Sequence, residues 1–346
     1  MFIAVFVTLL AVASPEFVNR LEAGRALFNA GKTGEALKAF DDAAKLAPEN
    51  ASVHYFRGVA LEKQGKNAEA LAAYRRAVAL EPKFAEAQNN LGGLLLADGH
   101  VDAAAAAFKA AVAAKPQNAR AQYNLGVCFE RQNNNNAALL AYEKALKLDP
   151  RDGQTALNLG VAQRRAGQAD KALATLKTAT QLAPKEPQAW INWGLALSDA
   201  NRFDEAQSSL TKATALAPAS AAAWHALGRI EWKRKRHNES VAALSKAAEL
   251  EPKSPVIAAD RCQSQAAKAP DAEAERVCEA ACALDPKAPL PRYVLLKLKA
   301  AAGNCAAAKQ SLAVLLKQPG LSERVKTGAQ ALADGCVPAK AAPVRR

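Results

Sequence analysis

The chain has 346 residues and a formal net charge of +13; half of it is apolar, yet only 5% is aromatic. Alanine, the strongest helix former, supplies much of the apolar share, and strand-type composition is confined to the first dozen residues. An all-α protein is expected, all-β folds are excluded, and the charge points to solubility and an acidic partner.

The N-terminus, Met1 to Ala13, is an uncharged apolar run ending in Ala11-Val12-Ala13, a small-x-small pattern that suits cleavage before Ser14. At 1–13 it is shorter than the roughly 20 residues of a membrane span. It is read as a candidate signal peptide, although no Lys or Arg precedes it. An exported protein, periplasmic or secreted, follows; tethering by an uncleaved segment is the alternative, and the only route to a membrane.

From residue 17 onward the chain repeats itself. Prolines stand at Pro48, Pro82, Pro116, Pro150, Pro184, Pro218, Pro252 and Pro286, each 34 residues from the last. Gly24, Gly58, Gly92, Gly126, Gly160, Gly194 and Gly228 keep step with them. So do the alanines from Ala36 to Ala206 and from Ala43 to Ala281. A bulky residue recurs at Phe40, Tyr74, Phe108, Tyr142, Leu176, Leu210 and Leu244. Proline cannot continue a helix, so each marks the end of a second helix. Glycine and the alanines mark where two antiparallel helices touch, and the bulky residue fills the gap between them. One such hairpin cannot bury its apolar face alone, so neighbours must stack.

These positions, and above all the segment from Ala119 to Pro150, resemble the tetratricopeptide repeat (TPR) family. The resemblance runs from residue 17 to about 288 without a gap. It implies a superhelical solenoid of stacked antiparallel helix hairpins with a C-terminal capping helix, and a scaffold for protein interactions. Seven repeats are expected at 17–50, 51–84, 85–118, 119–152, 153–186, 187–220 and 221–254, the last with Ser240 in an alanine position. An eighth, 255–288, diverges: Cys262 replaces the glycine, Cys278 takes the bulky position and Pro270 enters the inner turn. Residues 289–334 read as a degenerate repeat (helices 290–302 and 305–317) plus a capping helix over 321–334. Residues 337–346 read as a basic disordered tail.

In this family the first helix of each hairpin lines the concave face, and its sixth residue points into the groove. That register holds Asn90, Asn124, Asn158 and Asn192, flanked by Phe56 and Ala226. Amides carry donors and acceptors that suit the backbone of an extended peptide. The row is similar to the asparagine ladder of the repeat domain of O-linked N-acetylglucosamine transferase. The alternative is that the amides merely pack between neighbouring helices.

Arg120, Arg131, Arg164 and Arg165 fall on the same turns, with Arg229 and Lys233 in equivalent places further on. Tyr55, Tyr123 and His225 stand one residue before the ladder register. Together they favour an acidic segment, against the plainer reading of a solvated helix face. The chaperone-type carboxylate clamp, with Lys four residues before Asn, is absent from every first helix.

Five of six cysteines follow residue 260. Helical-hairpin register sets Cys262 against Cys278, with Cys282 as the alternative partner, and the capping helix returns Cys336 beside Cys305. A metal site of Cys262, Cys278 and Cys282 has no fourth ligand nearby, and no metal or other cofactor is expected. Cys128 is read as a buried spectator. There is no Gly-rich phosphate loop, HExxH or GxSxG, and none of the four histidines has a nucleophile partner in register, so no enzyme is expected.

The partner expected is a protein or peptide, with no small-molecule substrate. Two rival readings stay open: an assembly factor of an envelope complex, of secretion or pilus type, docking through the convex face or C-terminal cap; and a binder of anionic polysaccharide or nucleic acid.

Overall fold

The computed structural model describes residues 14–318 and 320–338. The candidate signal segment 1–13 and most of the basic tail, 339–346, lie outside the described residues. Among the described residues every element is a helix. No helix is long and apolar enough to cross a membrane. The chain divides into two compact units, one ending at Ala166 and the other beginning at Gly167.

The first unit holds α1 (Pro15–Asn29), α2 (Thr33–Leu46), α3 (Ala51–Lys63), α4 (Asn67–Leu80), α5 (Ala85–Ala97), α6 (Val101–Ala114), α7 (Ala119–Arg131), α8 (Asn135–Leu148) and α9 (Gly153–Arg165). Each odd-numbered helix through α7 pairs with the even one that follows, and the even one packs against the next odd one. Successive first helices also touch, α1 with α3 and α5 with α7.

Helix ends follow local chemistry. Side chains of Asn50, Asn118 and Asp152 accept the free backbone N–H groups that open α3, α7 and α9. Each second helix stops two residues short of its proline, as α2 does at Leu46 before Pro48, because the residue preceding proline is pushed out of the helical region.

The hairpin interior explains the repeat. A Cβ added to Gly58, Gly92 or Gly126 would lie 2.6, 2.8 or 2.6 Å from a ring carbon of Tyr74, Phe108 or Tyr142. Only a residue without a side chain lets the ring lie there. Tyr74, Phe108 and Tyr142 are fully buried, and Leu61, Leu91, Leu94, Leu95 and Leu125 close the core around the first two. Burying each such side chain is worth about 1.5–3 kcal/mol.

The turn between paired helices repeats as well. Gly31, Gly65, Gly99 and Asn133 have φ of 77°, 75°, 81° and 58°, the left-handed region. The next amide then reaches back five residues, as Lys66 N does to Leu61 O at 3.0 Å. This terminator satisfies carbonyls that the helix end leaves open.

The second unit holds α10 (Ala169–Leu182), α11 (Pro187–Asp199), α12 (Phe203–Leu216), α13 (Ala221–Lys233), α14 (His237–Leu250), α15 (Pro255–Lys268), α16 (Ala272–Leu284), α17 (Pro289–Ala301), α18 (Cys305–Leu316) and α19 (Glu323–Asp334). Pairs α11–α12, α13–α14, α15–α16 and α17–α18 form hairpins, and α19 lies against α17 and α18. Leu296, Leu312, Leu315 and Ala329 are buried at that cap. The observed helices begin or end within two residues of the sequence reading of this region: α17 starts at Pro289 rather than 290, and α19 at Glu323 rather than 321.

Gly194 and Gly228 meet Leu210 and Leu244 as their counterparts meet rings, with added Cβ distances of 2.7 and 2.6 Å. At the eighth hairpin the same two positions hold Cys262 and Cys278, joined by a disulfide with Cα atoms 4.6 Å apart. A second disulfide joins Cys305 to Cys336. Cys128 and Cys282 are free and buried, and burial pushes both thiols up, Cys128 to about 11.

The eighth hairpin also breaks the turn rule. Left-handed residues recur at Gly167, Asn201, Lys235 and Gly303, but Ala269, at the intervening position, has φ −152°. Helix α15 runs one residue further than α13, and Pro270 completes a wider turn.

Candidate functional site: an amide row on the first helices

The sixth residues of α5, α7 and α9 are Asn90, Asn124 and Asn158, each half-buried. They lie where one first helix faces the next, and they bond there. Asn124 Nδ2 donates to Asn89 Oδ1 at 3.3 Å, and Asn89 Nδ2 donates to Asn90 Oδ1 at 3.3 Å. Asn90 Nδ2 donates to Tyr74 Oη at 3.2 Å, and Tyr74 in turn donates to Glu62 Oε2 at 2.7 Å. One relay thus links three hairpins. Asn158 Nδ2 donates to Tyr123 Oη at 3.2 Å, while its Oδ1 accepts from Gln154 Nε2 at 3.0 Å. In the second unit Asn192 is also half-buried, and it donates to Gln188 O of its own helix at 2.9 Å.

A primary amide offers two donor hydrogens and an acceptor with two lone pairs. Asn90 faces the hydroxyls of both Tyr74 and Tyr55, and Asn158 those of both Tyr123 and Tyr142, whereas Asn124 spends one hydrogen on Asn89 and its Oδ1 accepts from no donor among the described residues. The row therefore joins neighbouring hairpins and keeps hydrogen-bonding capacity at the half-exposed Asn124.

The tyrosines are set by burial. Tyr55 packs edge-on to Phe56 and against Phe84, with ring centroids 5.2 and 4.9 Å apart. Tyr123 lies 5.8 Å from Tyr142, and Tyr142 donates to Glu130 Oε2 at 3.0 Å. Burial raises all four hydroxyls, Tyr55, Tyr74, Tyr123 and Tyr142, above the ordinary tyrosine range. All four remain neutral hydrogen-bonding groups at neutral pH.

The cations divide. At about 100° per residue, Arg120, Asn124 and Arg131 share one stripe of α7, and Asn158 and Arg165 share one stripe of α9, whereas Arg164 stands about 100° away from the second stripe. Arg120 is exposed and meets no side-chain partner among the described residues. Arg131 Nη1 donates to Leu96 O at 3.1 Å, satisfying a carbonyl at the end of α5. Arg165 pairs with Glu130. Arg164 is half-buried.

In the second unit His225 Nε2 lies 2.7 Å from Asp260 Oδ2, with Arg229 Nε 3.8 Å from the same oxygen. Lys233 Nζ donates to Ser198 Oγ at 2.8 Å and stands 5.4 Å over the Phe203 ring.

Sequence reading missed Asn89, Gln154, Glu62 and Glu130, which hold the row in place. A signal existed for two of them. Among hairpins with an aromatic at the bulky position, Tyr74 and Tyr142 have Glu62 and Glu130 twelve residues before, whereas Phe40 and Phe108 have Phe28 and Leu96. The hydroxyl and the carboxylate come as a pair.

The tetratricopeptide repeat model matches residues 21–84, 60–119, 89–153 and 191–255, more than half of the sequence. The chain belongs to the tetratricopeptide repeat family. A second model, of subunit 3 of the anaphase-promoting complex or cyclosome, matches residues 131–213. No curated protein matches the chain.

Among solved structures the chain is similar to YrrB, described as a TPR protein with an unusual peptide-binding site, at 24% identity and TM-score 0.51 over 55% of this chain and 98% of that one. It is similar to pilF of Pseudomonas aeruginosa at 20% identity and TM-score 0.54, over 60% and 95%. It is also similar to the APC/C hetero-tetramer Cut9-Hcn1 at 18% identity and TM-score 0.54, over 81% of this chain and 55% of that one. At these identities the likeness is one of fold. That fold is a scaffold for protein–protein interaction, and proteins built on it are in general non-catalytic.

Proposed function

We propose that the chain is a scaffold that grips an extended, acidic peptide segment along its first helices. The observation that carries this is the unspent capacity of the amide row. That capacity is at Asn124, which is half-exposed and keeps one N–H and its Oδ1 without a partner among the described residues, while Asn90 and Asn158 beside it are held by tyrosine hydroxyls. An extended peptide presents alternating C=O and N–H groups, the complement of such a row. Arg120, on the stripe of Asn124 and without a partner, supplies the preference for Asp or Glu. Within the second unit, Asn192, His225, Arg229 and Lys233 are side chains of the same kinds on its own first helices.

An exported location belongs to this reading and is supported by the two disulfides, which persist in oxidising compartments. The test is capture of partners from native extract by the wild type beside the double variant Asn124→Ala/Asn158→Ala. Two lost hydrogen bonds at about 1 kcal/mol each predict roughly a tenfold or greater loss of affinity. Undiminished capture by a variant with unchanged circular dichroism would sink the proposal.

A further inference from the structure

The eighth and ninth hairpins carry a feature that the amide row does not use. Two clefts adjoin on the first helices of the second unit, sharing Trp232 and Gln263 in their walls. The larger, of about 600 Å³, is floored by Trp232, Leu290, Tyr293, Val294 and Leu298. Its volume falls in the range of sites that bury a ligand group. Ala267 and Pro270 form its side, where α15 overruns and the left-handed turn residue is missing. The smaller, of about 250 Å³, is walled by Arg229, Lys233 and Asp260.

The charge around this pair of clefts is positive. Lys297 is exposed on the wall of the larger cleft and has no partner among the described residues. Arg229 and Lys233 stand in the smaller one. The single acid in the walls, Asp260, is already held by His225 and Arg229. Asp271, beside Pro270, spends its carboxylate on the backbone N–H of Ala274 at 3.0 Å. A ligand therefore meets an apolar floor and a rim on which Lys297 has no partner among the described residues, Lys233 is bonded only to the neutral Ser198, and Arg229 shares Asp260 with His225.

We propose that this double cleft is a specificity pocket for a peptide bearing one bulky apolar side chain, Phe, Trp or Leu, flanked by carboxylates. The apolar side chain enters the larger cleft over Trp232 and Tyr293. The flanking carboxylates meet Lys297 on one side and Arg229 and Lys233 on the other. The double cleft shares no residue with the amide row of the first unit, and either site can fail without the other.

The test uses the full chain with its disulfides intact and a fluorescein-labelled acidic peptide with one central Phe. Two counterparts are titrated beside it, one with Ala for the Phe and one with Asn and Gln for the acids. The wild type should bind the first about tenfold more tightly than either counterpart, the gain expected from burying one aromatic side chain. Ala267→Trp fills the larger cleft and should erase the preference for Phe over Ala while keeping the preference for acids. Lys297→Glu should do the reverse. Asn124→Ala should leave the preference for Phe over Ala unchanged, which separates this site from the row. Equal binding of the Phe and Ala peptides by the wild type overturns the proposal. So does a Phe preference that survives both Ala267→Trp and the milder Ala267→Leu. Equal binding of the acidic and amide peptides would make the cleft a neutral apolar site. Loss of peptide binding on self-association, seen by sedimentation, would assign the surface to a second copy. Either of these last two results also overturns it.

Discussion

The hairpin α5–α6 and the hairpin α15–α16 solve one packing problem in two ways. In the first, Gly92 gives up its side chain so that the Phe108 ring lies against the helix backbone. In the second, Cys262 and Cys278 occupy the same two positions and bond to each other. A close approach of two helices is held by burial in one case and by a covalent link in the other. The second hairpin has given up more than the glycine: its turn lacks the left-handed residue that Gly99 supplies at the corresponding place in the first. With poorer turn chemistry and a smaller buried side chain, a hairpin needs another source of stability, and a bridge across a short loop provides one.

The comparison breaks most sharply at the bridge. Cys262→Ser should destabilise the second unit by about 3 kcal/mol, the chain-entropy value for a loop of this length, read as a shift of denaturant midpoint without reductant, so that Cys305–Cys336 stays closed in both proteins. The pair Cys262→Gly/Cys278→Leu should recover part of that loss under the same non-reducing conditions, with Cys305–Cys336 still closed. If the pair is no better than Cys262→Ser, the two solutions are not equivalent.

Next come the glycines. Gly92→Leu should cost about 1–3 kcal/mol by overpacking against Phe108. Its neighbour Gly93 is exposed, with nothing within 4 Å of an added Cβ, so Gly93→Ala should stabilise by about 0.5–1 kcal/mol through helix propensity. Opposite signs at adjacent glycines, measured by thermal melts, would establish that contact rather than composition fixes Gly92.

The smallest effect lies at the tyrosines. Tyr142→Phe removes one bond to Glu130 and should cost about 1 kcal/mol at neutral pH. Its larger signature is in alkali. The folded chain holds the Tyr74 and Tyr142 protons more tightly than the unfolded chain, in which tyrosine ionises near 10.0. Their contribution is therefore complete below that pH and is lost as pH rises above it. Tyr74→Phe/Tyr142→Phe should flatten the alkaline fall of the melting temperature; an unchanged slope would show that other groups govern it.

Much of the fold was legible because the period is strict. A glycine, two alanines and a bulky residue in constant register define a hairpin and its contact, and the proline marks its end. Even the register of the amides could be read. Their partners could not. Asn124 reaches Asn89 and Asn158 reaches Tyr123 because one first helix is offset by one residue against the next, and that offset is set by stacking. Arg164 and Arg165 look alike in sequence, yet only Arg165 falls seven residues, almost two full turns, after Asn158. The double cleft was hidden for another reason: it arises where the pattern lapses, at Ala269 and Pro270, and a lapse shows what is missing without showing the space it leaves.

The same offset has a consequence for how such a chain grows. Asn124 to Asn89, Asn158 to Tyr123, Arg131 to Leu96, Arg165 to Glu130, Lys233 to Ser198 and His225 to Asp260 all span 35 positions. Duplication of one coding unit by unequal recombination inside the regular stretch would hand every such side chain a partner at the same spacing, so the gene can lengthen or shorten by whole units without new invention. A duplication cut through Cys262 and Cys278 has no such freedom, because a spare thiol from one copy competes for the bond of the other. The bridge thus marks the end beyond which this lineage can no longer add units freely.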